Sequence, residues 1–524
     1  MKTIDPLYTA VNRVLCPFCS FGCEFGIVFN DFGIKGVEYI KEGNSEGRLC
    51  PRGSGAAFYL NHPRRLTMPL KNGKAVDWSK MVKELKKVVG RPKDAAITFD
   101  RNLTIEEYNL LVSFCREVGI ENIASTYLEP ERFLRGFFKE PFSTEEINNA
   151  KMIVVVGDLF NQTPMISKTL INWKLSNRRN RLIVIDSINT HTAVFANDFV
   201  KTKVGAEPIL LLEFAQENSE TVDISEFSSI SKKKALEMSR SFKETESGII
   251  IACLPFAHTY DSHLLTEALS RFSSFSGKKV VPFVEYMGFD GNQHFGSVMS
   301  SIKKRKIKYL INFGEIFPFY YPQIVKGLKG LNLYSTSTLK YDGYTAIPAA
   351  LNLEKEGSIM TTFGRRNLTG NIKPASGAKT VAEIINSIQE TSADERSLQA
   401  PAVKIDVKER IEKVVDKCRA ARKKKNYLLI GEKIAFSFLG LFEKEMIRIN
   451  PHDAKELGIK PNDRVSIKSK QGEVELRAKL TDDVGRGITS VPAEIPEVKG
   501  LFDFEIVNDI ISFTPTEVEI WRKG

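Results

Sequence analysis

Four cysteines near the N-terminus have the spacing of a metal-centre ligand set. Three of them lie in the short segment CPFCSFGC and the fourth precedes Pro-Arg-Gly, which gives Cys16-x2-Cys19-x3-Cys23-x26-Cys50. The chain has only seven cysteines in 524 residues and no apolar export segment at its N-terminus, so a disulfide framework is not expected. These four residues are therefore expected to bind a metal.

Two kinds of metal centre are compatible with four cysteine ligands. Structural zinc is bound tetrahedrally, usually by two pairs of ligands at opposite ends of a loop. Here one loop supplies three ligands and a distant residue supplies the fourth, which suits a [4Fe–4S] cubane because its separate irons bind successive thiolates. Gly22, Gly26 and Gly53 allow the backbone to approach the cluster closely. We predict a [4Fe–4S] cluster, with zinc as the alternative.

The middle of the chain has the pattern of a mixed α/β fold. Short apolar runs such as MIVVV, RLIVID and YLINF alternate with helical patterns, which is typical of parallel sheets covered on both faces. Gly157 and Gly314 follow two of these strands. Ligands bind such sheets at the carboxyl ends of the strands, so both glycines are candidate binding positions.

The cysteine segment and the residues after it, LCPFCSFGCEFG, NHPRRLTMPL and DWSKMVKEL, resemble the opening of the molybdopterin oxidoreductase superfamily. That superfamily includes formate dehydrogenases, periplasmic-type nitrate reductases and the large iron–sulfur subunit of NADH:quinone oxidoreductase. The resemblance covers nearly the whole chain at lower strength. It implies a [4Fe–4S] domain over 12–66, two related, interleaved α/β domains with parallel sheets over 67–425, and a six-stranded β-barrel over 426–524.

The resemblance also implies positions that face cofactors. In the superfamily the loops that correspond to Gly157 and Gly314 hold the two halves of a molybdenum or tungsten bis-molybdopterin guanine dinucleotide. Asp186 and Glu207 stand where relatives have Asp-Pro-Arg and Gly-Thr-Asp, but this chain has Asp-Ser-Ile and Val-Gly-Ala-Glu. Arg52 matches the basic residue beside the fourth cysteine. The cluster positions are kept, whereas the nucleotide positions have changed.

The protein ligand to molybdenum or tungsten is missing from its expected place. Catalytic relatives supply a Cys or selenocysteine, but the corresponding stretch, GIENIASTYLEPERFLRGFF, contains neither Cys nor His. Ser125, Glu129 and Glu131 are oxygen donors in that stretch, and an ordinary loop is the alternative interpretation. We therefore predict no catalytic residue. The molybdenum or tungsten bis-molybdopterin guanine dinucleotide is a possible cofactor, but the missing metal ligand argues against it.

Three functions follow from these observations. The first is an iron–sulfur electron-transfer subunit of a multisubunit oxidoreductase, similar to the large iron–sulfur subunit of NADH:quinone oxidoreductase, with ferredoxin-like, flavin, hydrogenase or dehydrogenase subunits as partners. The second is an active enzyme of the formate dehydrogenase type. The third is a non-redox scaffold with a structural cluster.

The charge pattern argues against a nucleic-acid function. The net charge is +11, but the basic residues are spread along the chain among 64 acids. No apolar run reaches the roughly 18 residues of a membrane helix. We expect a cytoplasmic protein, docked peripherally on a membrane complex, without nucleic-acid partners.

Overall fold

The computed structural model describes residues 10–100, 102–126, 129–217, 222–254, 256–285, 287–314, 330–340, 343–393, 397–420, 426–433 and 446–523, without the side chains of 129–131. The chain forms two compact units. The first consists of Met1–Tyr127, Tyr286–Ala402 and Asn508–Ile510, and the second of Leu128–Glu285, Val403–Val507 and Ile511–Gly524. Each is described by itself below, and elements are labelled in chain order.

A small antiparallel sheet in the first unit carries the cysteine loop. Its described strands are β1 (Ala10–Leu15), β2 (Glu24–Asn30) and β3 (Gly33–Glu38), followed by helices α1 (Pro51–Ser54) and α2 (Ala56–Leu60). The loop between β1 and β2 is closed by a hydrogen bond of 2.7 Å from the Cys16 amide to the Cys23 carbonyl. The sheet thereby holds both ends of the three-cysteine loop.

The larger sheet of the first unit has the order β5-β4-β15-β14-β13-β6-β7 among the described residues. Its strands are β4 (Leu70–Lys71), β5 (Lys74–Ala75), β6 (Ala95–Phe99), β7 (Ile123–Ser125), β13 (Tyr309–Phe313), β14 (Asn332–Ser337) and β15 (Thr345–Pro348), and its helices are α3 (Trp78–Val89), α4 (Ile105–Val118), α13 (Phe295–Lys303) and α14 (Val381–Ile388). The strands from β7 to β15 are parallel, as predicted. The short β4–β5 hairpin is antiparallel, because Asn72 and Gly73 both have positive φ and form its tight turn.

The buried core of this sheet comes from residues that the sequence places on one face of each helix. Leu85 of α3, Leu111 of α4 and Ile384 of α14 are fully buried in the same cluster as the strand residues Ile97 and Ile311. Helix α4 has clear end signals, since Thr104 and Glu107 form a reciprocal capping box and Gly119 ends the helix with left-handed φ. A separate hairpin, β16 (Glu356–Thr361) and β17 (Gly364–Thr369), belongs to the same unit.

The second unit contains a wholly parallel sheet with the order β10-β9-β8-β11-β12 in the described part of the chain. Its strands are β8 (Met152–Val156), β9 (Arg181–Asp186), β10 (Asp198–Lys201), β11 (Gly248–Ala252) and β12 (Lys279–Pro282), and its helices are α5 (Glu129–Arg135), α6 (Thr144–Asn149), α7 (Leu159–Gln162), α8 (Ile166–Ser176), α9 (His191–Val194), α10 (Glu207–Phe214), α11 (Lys232–Glu244) and α12 (Ser262–Ser276). Every residue of β8 is buried, which is typical of a central parallel strand covered on both faces.

A closed β-barrel forms the C-terminal part of the second unit, with the order β18-β22-β19-β21-β20-β25. Its strands are β18 (Asn426–Glu432), β19 (Met446–Ile449), β20 (Arg464–Lys468), β21 (Glu473–Leu480), β22 (Ile488–Pro492) and β25 (Thr516–Arg522). Two further strands, β23 (Phe504–Val507) and β24 (Ile510–Phe513), pair with each other outside the barrel. The helices of this part are α15 (Val407–Arg419), α16 (Pro451–Glu456) and α17 (Pro496–Lys499). The predicted fold class is confirmed: a small N-terminal cysteine domain, parallel sheets and a six-stranded barrel. The predicted boundaries at 66/67 and 425/426 stay predictions.

Candidate functional site

All four predicted cluster ligands are buried cysteines in the first unit. Cys16, Cys19 and Cys23 are 2%, 8% and 2% exposed, and Cys50, which immediately precedes α1, is 7% exposed. None of these four cysteines forms a disulfide. The N-terminal sheet holds the three-cysteine loop, and the turn into α1 supplies the fourth sulfur.

The electrostatics of these thiols show that they lie close together. Burial raises the pKa of Cys16, and the nearby Cys19 and Cys50 raise it further. Burial likewise raises the pKa of Cys23, with contributions from the other three cysteines. Four neighbouring thiolates would repel one another in a buried site, so a bound cation is needed to hold them in the deprotonated form that ligates metal.

The arrangement fits an iron–sulfur cluster. Among the residues that the structure describes, no three Cys, His, Asp or Glu side chains converge on a single-ion site. A cubane binds each thiolate at a different iron, so its four sulfurs do not need to converge on one point. Such a cluster supplies one-electron transfer when bound.

Arg52 is the charged neighbour of the cysteines. It lies on α1, two residues after Cys50, and its side chain is fully buried. Its positive charge lowers the pKa of both Cys16 and Cys23, against the larger effect of burial. Arg52 therefore lies close enough to act on these thiols, and its role toward a cluster stays a prediction.

The turn of the β16–β17 hairpin fixes the cysteine loop from the other side. The Thr362 amide donates to the Ser20 carbonyl at 2.7 Å, and the hydroxyls of the same two residues lie 2.8 Å apart. The rings of Phe21 and Phe363 pack edge to face with centroids 5.0 Å apart. Sequence reasoning did not predict this contact, because nothing in the local pattern around Thr362 indicates it.

Gly22 has a specific reason to be a glycine in this loop. Its φ is +61°, and a Cβ at this position would lie 2.8 Å from the Thr361 methyl group. Any other residue would strain the backbone and press against the hairpin. The loop sequence is thus adapted to the hairpin as well as to the metal.

Gly314, the candidate position in the seven-stranded sheet, faces an acid. Its amide donates to the Thr336 hydroxyl at 2.6 Å, and a Cβ on Gly314 would lie 2.0 Å from a carboxylate oxygen of the buried Asp100. The residue after it, Glu315, lies outside the described residues. Gly314 therefore permits the close approach of Asp100, and its role toward a cofactor stays a prediction.

The other three candidate positions come together in the second unit, at the carboxyl edge of the five-stranded sheet. Gly157, Asp186 and Glu207 line one small cavity with His258, a residue that no sequence pattern singles out. Nδ1 of His258 lies 3.8 Å from an Asp186 oxygen, and the Thr202 hydroxyl donates to Glu207 at 2.9 Å.

Burial shifts the pKa values of the ionisable groups at this edge in the direction that favours their neutral forms. Burial raises the pKa of Glu207 to about 7 and lowers that of His258 to about 3. Burial, followed by the charges of Asp158 and Glu207, raises the pKa of Asp186. The cavity that they line has a volume of about 10 Å³, which is room for about one water molecule. A guanine base does not fit in this arrangement.

Ser125, the candidate metal ligand in the first unit, is the last residue of β7 and is 5% exposed. Helix α5 begins at Glu129, so part of the stretch interpreted as an ordinary loop is strand and helix. The side chains of Glu129 and Glu131 lie outside the described residues, and the metal-ligand question for all three stays a prediction.

None of the helices in the described part of the chain is long and apolar enough to cross a membrane.

Known protein families match two segments of this chain, one near each end. Residues 9–62 match the molybdopterin oxidoreductase Fe4S4 domain, and residues 437–518 match the molydopterin dinucleotide binding domain. The F420-dependent formate dehydrogenase subunit alpha of Methanocaldococcus jannaschii is 22% identical over 93% of this chain and 95% of that protein.

Two further proteins are similar to this chain. The NADPH-Fe(3+) oxidoreductase subunit alpha of Geobacter sulfurreducens is 26% identical over 38% of the chain and 25% of that protein. Acetylene hydratase from Pelobacter acetylenicus has the same fold, with a TM-score of 0.73 at 12% identity over 98% of this chain and all of that one. Both ends of the chain thus match domains of molybdopterin oxidoreductases, and the chain as a whole is similar in sequence and fold to proteins that contain such domains.

Proposed function

We propose that this protein is an iron–sulfur electron-transfer subunit of a multisubunit oxidoreductase, without a catalytic metal centre. Cys16, Cys19, Cys23 and Cys50 each bind one iron of a [4Fe–4S] cluster. When bound, such a cluster would supply one-electron transfer between a donor subunit and an acceptor subunit. The single observation that carries the proposal is the group of four buried, mutually interacting thiols beside the fully buried Arg52.

The chain's own residues give the cluster site two properties. Burial and the hairpin contact between Thr362 and Ser20 exclude water and limit movement of the loop. Little rearrangement on reduction favours fast electron transfer, because the surroundings need not reorganise. Arg52 adds a fixed positive charge that favours the reduced, more negative cluster.

The proposal of no catalytic metal centre rests on donor chemistry. No Cys or His occurs in the stretch from 119 to 138 where catalytic relatives carry the metal ligand. The proposed partners are other redox subunits, consistent with the two similar proteins that are named as alpha subunits.

An active enzyme of the formate dehydrogenase type is the second candidate. The observation in its favour is the end-to-end similarity to a formate dehydrogenase alpha subunit. In that case Ser125, Glu129 or Glu131 would supply an oxygen ligand to molybdenum or tungsten.

Metal analysis of the purified chain distinguishes the two candidates. We expect about four iron atoms per chain, as for one cubane, and no molybdenum or tungsten. Cys23→Ala should lose the iron and the reduced-state EPR signal, whereas the matched control Cys115→Ala, a buried cysteine of α4, should keep both. Stoichiometric molybdenum or tungsten, together with formate-dependent dye reduction, would establish the enzyme instead.

A further inference from the structure

Polar side chains from four segments meet at the carboxyl edge of the five-stranded sheet. Asp158 follows β8, Asp186 ends β9, His258 lies in the loop after β11, and Glu432 and Lys433 come from the end of barrel strand β18. All of these residues belong to the second unit. They line two adjoining cavities that share Asp186 and His258.

Both cavities have the size of a water molecule. Each has a volume of about 10 Å³, whereas a cavity needs roughly 10–15 Å³ to hold one water. A purine base is many times larger. A nucleotide could enter only if Asp186, His258 and Glu207 moved out of their packed positions.

Most side chains at this edge are of the wrong kind for binding phosphate groups. Asp158, Asp186, Glu207 and Glu432 place four carboxyl groups around the two cavities. The nearby cations face carboxylates, since Arg448 lies 2.9 Å from Glu432 and Lys433 lies 3.4 Å from Glu285. Phosphate groups are bound by cations and backbone amides, whereas this edge presents mainly carboxyl groups.

The barrel lies directly on the same edge. The Gly431 amide of β18 donates to the Phe256 carbonyl at 3.1 Å. A Cβ on Gly431 would lie 2.9 Å from that carbonyl and 2.9 Å from the Ala493 methyl group. The barrel strand therefore contacts the loop after β11 without an intervening layer.

Four buried polar atoms at this edge lack a hydrogen-bond partner within the described residues. They are Oδ2 of Asp186, Oε2 of Glu207, Nε2 of His258 and Nζ of Lys433. Buried polar atoms in native proteins are nearly always satisfied, and an internal water commonly makes about three such bonds. One water in the cavity lined by Asp186, Glu207 and His258 accounts for three of these atoms, and Lys433 lines the adjoining cavity.

We infer that the carboxyl edge of the five-stranded sheet holds ordered water in place of a guanine nucleotide, and that the barrel closes this edge directly. Asp186, Glu207 and His258 then join the barrel to the sheet through a hydrogen-bonded network. This conclusion is independent of the cluster and of its role in electron transfer.

The test compares nucleotide content and structure. The full chain, Glu207→Gln and the matched control Glu213→Gln, which alters another buried acid of α10, are produced in a host that makes molybdopterin guanine dinucleotide. A known bis-dinucleotide enzyme prepared from the same host serves as the loading control. Acid-released GMP is then measured per chain, and iron is measured on the same samples.

We expect the same GMP content in all three proteins and, in a high-resolution crystal structure, water density between Asp186, Glu207 and His258. GMP that is present in the wild type and in Glu213→Gln but lost in Glu207→Gln would overturn the inference, as would purine density at this edge. Iron content reports separately on the cluster, so failure of the two proposals can be told apart.

Discussion

Replacing Arg52 by Gln should lower the reduction potential of the cluster while leaving its iron content unchanged. Arg52 is fully buried and its charge acts on Cys16 and Cys23, so it lies close to the sulfurs. As a general estimate, two unit charges separated by about 6 Å interact by about 3 kcal/mol at an effective dielectric constant of about 20. Since 59 mV corresponds to a tenfold change for a one-electron couple, this is about 120 mV. We expect a decrease of roughly 50–120 mV, because relaxation around the cavity offsets part of the effect.

The assay is a redox titration of the reduced-state EPR signal. Arg52→Lys retains the charge and should have a potential much nearer to that of the wild type. Arg48→Gln is the matched surface control, because Arg48 is close in sequence but its side chain is 38% exposed and pairs with Glu46; its screened charge should matter little. An unchanged potential in Arg52→Gln, with full iron content, would refute the electrostatic role and leave Arg52 as a packing residue.

Three other predictions concern stability and activity. Lys355→Met should lower the free energy of unfolding, measured in urea, by about 3–5 kcal/mol. In the wild type the Lys355 ammonium lies 2.8 Å from Glu107, and the variant leaves this carboxylate buried without its cation. A decrease below about 1 kcal/mol would contradict this prediction. The pKa of Glu207 is raised to about 7 in the folded state, so the folded state binds the proton of this carboxyl group more tightly than the unfolded state does. As the pH rises from about 4.5 to 7, the free energy of unfolding of the wild type should therefore fall by up to about 3 kcal/mol relative to that of Glu207→Gln. Parallel pH profiles of the unfolding free energies of the two proteins would contradict this prediction. Ser125→Ala should leave reduction of the cluster by a low-potential donor intact; formate-dependent dye reduction that disappeared in this variant would identify Ser125 as a metal ligand.

Local patterns in the sequence are sufficient to predict the strands and to single out four cysteines that the structure places together. The run MIVVV forms the fully buried strand β8, and the spacing from Cys16 to Cys50 identifies four thiols that the fold brings together. The first signal is a run of consecutive apolar residues, and the second is a spacing of cysteines, whose thiolates are the usual ligands of iron–sulfur clusters. The segment DWSKMVKEL likewise predicts a helix that starts after Asp77, as α3 does, although the Asp77 side chain makes no capping hydrogen bond.

Contacts between distant segments could not be predicted from one sequence. His258 is a single histidine without a metal-spaced partner, and its importance arises only because the loop after β11 lies beside Asp186 and the barrel. Thr362 likewise has no local signal for its contact with Ser20. Such pairs are set by the packing of whole elements, which no periodicity in the chain encodes.

The contact between the hairpin and the cysteine loop has a consequence for biosynthesis. Ser20 and Thr362 are 342 residues apart in the chain. At a translation rate of about 5–20 residues per second, the hairpin emerges roughly 20–70 s after the cysteine loop. During this interval the nascent loop lacks the element that covers it, so its thiols are accessible to iron–sulfur donors and also to oxidants. Stable cluster insertion is therefore expected to be completed after the hairpin has been synthesised, and a truncated chain that ends before residue 356 should acquire a cluster that oxygen destroys more readily.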